Sequence, residues 1–68
     1  LYQEYKKNIR AHFKDEFFEE TLDISIEEID AFINYCFPKN IVYLFNKARY
    51  LEIMDIFIAE SKTFKLIE

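Results

Sequence analysis

The chain has 68 residues, and its 13 acidic and nine basic side chains give a net charge of −4 at pH 7. It contains no glycine, one histidine and one cysteine, which excludes glycine-rich phosphate loops, Cys/His zinc clusters and an intramolecular disulfide. No apolar run approaches the roughly 20 residues of a membrane-spanning helix, and no signal peptide is visible.

The absence of glycine and the presence of a single proline disfavour β-hairpins, whose tight turns depend on glycine. Apolar residues recur instead at helical spacing. We therefore predict an all-α fold, a three-helix bundle with a long third helix, either closed on itself or completed by a partner chain. It forms a single domain over residues 1–68, and we expect this domain to be a piece of a longer protein because Leu1 lies inside a helical pattern.

The first helix is predicted from Tyr2 to Glu20. Five apolar residues repeat every three or four positions, which places them on one face of a helix. They are Tyr2, Tyr5, Ile9, Phe13 and Phe17.

The second helix carries the clearest local signal. Ser25 followed by Glu28 is a capping box, in which each side chain satisfies a backbone N–H of the other residue. Ile24 and Ile29 flank this start as a hydrophobic staple. Pro38 ends the helix, because the residue before a proline is pushed out of the α region.

The third helix is predicted from Pro38 to about Glu60, and residues 61–68 as its frayed continuation. It is apolar on two sides, and a three-helix unit fills only one side internally. We predict an internal core of Ile9, Phe13, Phe17, Ile29, Ile33, Leu44 and Phe45. We predict that the other side contacts a partner through Tyr43, Tyr50, Met54 and Phe57, since aromatic residues dominate interface energies and methionine adapts its shape.

Residues 15–30 carry eight carboxylates and no basic side chain. Such a surface is either a solvated helix face or a docking face that attracts a basic partner. The residues predicted for this acidic docking face are Glu16, Glu19, Glu20 and Glu27.

Catalytic chemistry is not indicated. His12 has no serine or cysteine nearby in the sequence, and Cys36 follows an apolar stretch without a basic neighbour to activate it. We predict neither a metal site nor a cofactor, and we expect His12 to be an ordinary helical histidine and Cys36 a small core residue.

The sequence predicts a cytoplasmic, regulatory helical module that binds another protein or a second copy of itself, without enzymatic activity. One alternative is a helix-turn-helix-like DNA-binding domain, with Lys39, Asn40, Lys47 and Arg49 facing phosphates; its turn lacks glycine, and the net negative charge disfavours nucleic acid. A further alternative is a small acidic inhibitor or immunity-type protein that binds a basic target.

Overall fold

The computed structural model describes residues 4–67, and these residues form helices and turns without a strand. The predicted all-α class is confirmed. Tyr2 and Glu68, assigned above to the first helix and to the tail, lie outside the described residues. The elements are α1 (Glu4–Phe13), a π-helical turn (Phe17–Thr21), a 3₁₀ turn (Ile26–Glu28), α2 (Ile29–Tyr35), a second 3₁₀ turn (Phe37–Lys39), α3 (Ile41–Asn46) and α4 (Tyr50–Leu66).

Within residues 4–67, four residues with positive φ interrupt the helices: Lys14 (75°), Asp23 (58°), Asn40 (69°) and Ala48 (57°). Helices commonly end at a glycine in this left-handed conformation, and this chain has none. For a residue with a Cβ the conformation costs roughly 1–2 kcal/mol, and asparagine and aspartate tolerate it best. The chain therefore turns at four strained junctions, none of which is marked by a glycine in the sequence.

The first of these junctions divides the predicted first helix. At this junction the Lys14 N–H donates to the Arg10 carbonyl at 2.8 Å, and α1 ends at Phe13. The chain then continues as a short helical segment with a π-helical turn. This turn changes which side chains after the break point toward the core. As a result Phe18 lies fully in the core, whereas Phe17 is only half-buried.

The second helix begins differently from the predicted capping box. The Ser25 hydroxyl donates to the Glu28 carboxylate at 3.1 Å, and neither side chain caps a backbone N–H there. The Glu28 N–H donates instead to the Ser25 carbonyl at 2.9 Å, which makes the first turn 3₁₀. Ile24 and Ile29 are both buried on either side of this turn, as the staple predicts.

The predicted long third helix is divided in two. Ala48 donates its N–H to the Phe45 carbonyl at 3.0 Å, and Arg49 donates to the Leu44 carbonyl at 2.9 Å. This pair of bonds is a Schellman motif, which ends α3 at Asn46 and redirects the chain into α4. The tail predicted as helix is helical as far as Leu66.

The core lies between α1, α2 and α4, with α3 packed on α4. Three phenylalanine rings occupy its centre: Phe57 lies 5.6 Å from Phe18 and 5.4 Å from Phe32 between ring centroids. Of the predicted core residues, Ile9, Ile29, Ile33 and Leu44 are buried, whereas Phe13, Phe17 and Phe45 pack half-buried at the margin. The buried apolar residues are Ile9, Phe18, Leu22, Ile24, Ile29, Phe32, Ile33, Cys36, Ile41, Leu44, Ile53, Phe57 and Phe64.

Candidate interaction surfaces

The inner face of α4 anchors this helix in the core. Ile53, Phe57 and Phe64 are buried, and the Ser61 hydroxyl, which is also buried, donates to the Ile58 carbonyl at 2.9 Å. The Phe57 ring also contacts the Phe13 ring at a centroid distance of 5.6 Å. The orientation of α4 is therefore set by aromatic packing on one side, and its opposite side faces solvent.

The four predicted partner contacts do not share one surface. Tyr43 is 49% exposed and lies on α3, whereas Tyr50 is half-buried at the start of α4 and stacks on His12 with ring centroids 3.9 Å apart. Met54 is half-buried, and Phe57 is 0% exposed. Phe57 is thus a core residue, because the break at Lys47–Arg49 turns its side of the helix inward.

The outer face of α4 exposes a different set of apolar residues. Leu51 is 76% exposed, Ile58 39% and Leu66 85%. Asp55 and Lys62 are exposed between them, and the five residues follow one another at helical spacing along one stripe. The sequence pattern contains this stripe, but which side of α4 faces the core is decided only by the packing of the other helices. We call Leu51, Asp55, Ile58, Lys62 and Leu66 the outer stripe.

The acidic residues of segment 15–30, apart from Glu28, which accepts a hydrogen bond from Ser25, fall into two groups. Asp15 and Asp30 accept hydrogen bonds from Arg10, and Asp23 accepts one from Lys65 at 3.4 Å. The other group is solvent-exposed, and within residues 4–67 its members form no ion pair. Its members are the four residues of the predicted acidic docking face, Glu16, Glu19, Glu20 and Glu27.

Arg10 joins α1 to the chain that follows it. Its Nε and Nη2 donate to the two carboxylate oxygens of Asp15 at 2.7 and 3.0 Å, and its Nη1 donates to Asp30 at 3.2 Å. The bonds to Asp15 raise the pKa of Arg10, and the bonds from Arg10 lower the pKa of Asp15. A groove of about 640 Å³ lies beside them, lined by Lys7, Arg10, Ala11, Lys14, Asp15 and Asp30.

His12 and Cys36 occupy positions without catalytic geometry. His12 is exposed and lies among aromatic rings, including Phe45 at 5.7 Å. Cys36 is fully buried, and this burial raises the pKa of its thiol to about 12, so the thiolate is scarce at neutral pH. Among the residues described, no three His, Cys, Asp or Glu side chains come together as metal ligands would.

The positive segment of the helix-turn-helix alternative is largely engaged in contacts within the chain. Lys39 lies 3.7 Å from the Glu60 carboxylate, Arg49 donates to Glu52 at 2.6 Å, and Lys47 lies 5.8 Å from the centre of the Tyr43 ring. The helix that would read bases, α3, has only six residues. No observation on this surface favours DNA binding.

Comparison with protein families decides the membership of the chain. Residues 2–68 match the family model described as BamP, C-terminal domain. The chain belongs to the BamP C-terminal domain family. No curated protein and no solved structure matches it.

Membership in the BamP C-terminal domain family supports a protein-interaction module, and it gives no indication of catalytic activity. It also shows that the cytoplasmic localisation and the regulatory role predicted above are wrong, because BamP is associated with outer-membrane assembly, at the periplasm and outer membrane. Over residues 4–67, none of the helices has both the length and the apolarity that crossing a membrane requires.

Proposed function

We propose that this domain docks a protein through the outer face of α4. The observation that carries this proposal is the exposure of Leu51, Ile58 and Leu66 along one side of the longest helix. Apolar side chains left in water are normal when scattered singly, but grouped ones mark interaction sites. Membership in the BamP family supports an occupant that is a protein of outer-membrane assembly. A second copy of the chain is the other candidate, which the family match does not address.

The energetics favour this face over the predicted group around Phe57. Removing a leucine or isoleucine side chain from water contributes roughly 1.5–3 kcal/mol to association when burial is complete. Leu51 and Leu66 retain most of their exposure and would gain most of this amount, whereas Phe57 is already buried and gains nothing from a partner. The half-buried Met54, next to the stripe in sequence, adds adaptable contact area.

Site-specific photo-cross-linking in the full-length protein tests this proposal. A photoreactive phenylalanine analogue replaces Leu51 or Ile58 on α4, and Asn46, which is exposed on α3, serves as the matched control. We expect both α4 positions to form the same protein adduct and the control position to form none. Absence of an adduct at both α4 positions, or equal adducts at Asn46, would contradict docking through this face.

A second candidate surface is the acidic face of Glu16, Glu19, Glu20 and Glu27. Their exposure without an ion pair in residues 4–67 supports a contact with a basic protein, whose approach the negative field would accelerate. This surface is separate from the outer stripe and would take a different partner.

Charge reversal tests the acidic face. We expect Glu19→Lys with Glu20→Lys to slow association with a basic partner about tenfold at low salt, and the deficit to shrink as salt screens the field. The neutral pair Glu19→Gln with Glu20→Gln should give about half of that effect on a logarithmic scale. Stopped-flow association rates at several ionic strengths measure this, and rates that do not depend on these charges would exclude steering by the acidic face.

A further inference from the structure

The order of residues on the outer stripe has a symmetry of its own. Leu51 and Leu66 stand at its two ends, Asp55 and Lys62 stand inside them, and Ile58 lies next to the midpoint. Read from the C-terminal end, the stripe again presents an apolar residue, a charge, the central isoleucine, an opposite charge and an apolar residue. A stripe of this kind is complementary to a reversed copy of itself.

Two copies of α4 packed antiparallel about a two-fold axis bring these residues into register. The two-fold axis passes between Ile58 and Ala59, so Leu51 of each copy faces Leu66 of the other. These two equivalent contacts lie about 22 Å apart along the helix. The two Ile58 side chains meet near the axis, where the small side chain of Ala59 permits close approach of the helices. The contact is isologous, as two-fold dimers require.

The charges select this orientation. Asp55 of each copy faces Lys62 of the other, which forms two intermolecular ion pairs, whereas a parallel arrangement in register opposes like charges. Both side chains are exposed, and neither forms an ion pair within residues 4–67. Antiparallel packing also aligns the helix dipoles favourably.

We propose that a second copy of this chain occupies the outer face of α4 in an antiparallel, two-fold pair of α4 helices. The inference rests on the proposed docking role of that face and names its occupant. A single helix pair forms a small interface, below about 1,200 Å², so the dimer is weak and forms only at high local concentration.

A charge exchange tests the register. Asp55→Lys alone, or Lys62→Asp alone, replaces two attractions with two repulsions and lowers the dimer affinity about tenfold or more. The double variant restores both attractions and should return the affinity close to that of the wild type. An equimolar mixture of the two single variants should form a heterodimer for the same reason. Sedimentation velocity over a hundredfold concentration range measures the wild type, the three variants and the mixture.

Cross-linking gives a second measurement, which traps the pair covalently and reports which residues face each other. Ile58→Cys should form a disulfide between copies under mild oxidation, whereas Leu51→Cys should cross-link only when mixed with Leu66→Cys. Cys36 remains in place as an internal control, because it is fully buried with a pKa of about 12.

The outcomes separate this inference from the proposed function. A wild type that stays monomeric throughout, or a double variant as weak as the single variants, overturns the antiparallel pair. If photo-cross-links at Leu51 and Ile58 then lead to a different protein, docking through α4 stands and only the second copy is excluded. If those positions form no adduct, both proposals fail together.

Discussion

The acidic segment of residues 15–30 and helix α4 present opposite kinds of surface. The acidic segment is a succession of short turns that leads into the start of α2, and four of its glutamates project unpaired charge into solvent. Helix α4 is unbroken over 17 residues, and its exposed side carries apolar residues in line. The first surface acts at a distance and weakens with salt, whereas the second acts only on contact. The two surfaces therefore differ in range and in salt dependence, which is why we propose a different partner for each.

The largest expected effect separates the two faces of α4. Phe57→Ala removes a ring packed among three other phenylalanines and should cost about 3–5 kcal/mol of unfolding free energy, enough to unfold a domain of this size. Leu51→Ala, on the exposed face, should change stability by no more than about 0.5 kcal/mol. Urea denaturation followed by circular dichroism measures both. Equal losses of unfolding free energy for the two variants would contradict the assignment of Phe57 to the buried face of α4 and of Leu51 to the exposed face.

A smaller effect is expected at the junction that begins α4. Ala48 holds φ at 57°, a conformation that glycine adopts without strain. Ala48→Gly should therefore raise the unfolding free energy by about 1 kcal/mol, reduced by the conformational entropy that glycine adds to the unfolded chain. Ala59→Gly is the matched control, because Ala59 is exposed inside α4 and should lose about 1 kcal/mol. Thermal denaturation shows whether each substitution raises or lowers the stability of the domain. A destabilised Ala48→Gly variant would contradict a left-handed conformation at residue 48.

The smallest effect concerns the acidic segment. Arg10 lowers the pKa of Asp15 in the folded state, so their pair stabilises the fold above the ordinary aspartate pKa of about 3.9 and loses this contribution as the pH falls through the folded value. Asp15→Asn should therefore lower Tm slightly at pH 7 and leave it unchanged at strongly acidic pH.

The neighbouring Glu16 provides the control for that measurement. It is exposed and forms no ion pair within residues 4–67, so Glu16→Gln should leave Tm unchanged at both pH values. A Tm difference for Asp15→Asn that persists at acidic pH would assign the effect to something other than the ion pair with Arg10.

Helical periodicity predicted the fold class and much of the core. Ile9, Ile29 and Ile33 recur at helical spacing and are buried, because a helix can bury only one stripe of its surface. The interruptions were not predicted. Lys14 and Ala48 are ordinary helix formers in sequence, and their left-handed conformations follow from where the packed helices require the chain to turn.

The sequence did not indicate which side of the third helix would be left exposed. Periodicity identified the third helix as apolar on two sides but could not distinguish the inner side from the outer one. The Schellman turn at Lys47–Arg49 rotates α4 so that Phe57 enters the core while Leu51 and Ile58 face solvent. Nothing in the spacing of the apolar residues encodes that rotation.

The sequence by itself determined the properties that belong to single residues or to short-range periodicity. These are the all-helical class, the acidity of residues 15–30, and the exclusion of a glycine-rich loop and of a Cys/His zinc cluster, each of which depends on composition or on neighbours a few positions away. Tertiary structure alone decided where the helices break and which apolar residues stay in water. These depend on contacts among α1, α2 and α4, where burying Phe18, Phe32 and Phe57 together outweighs four strained junctions.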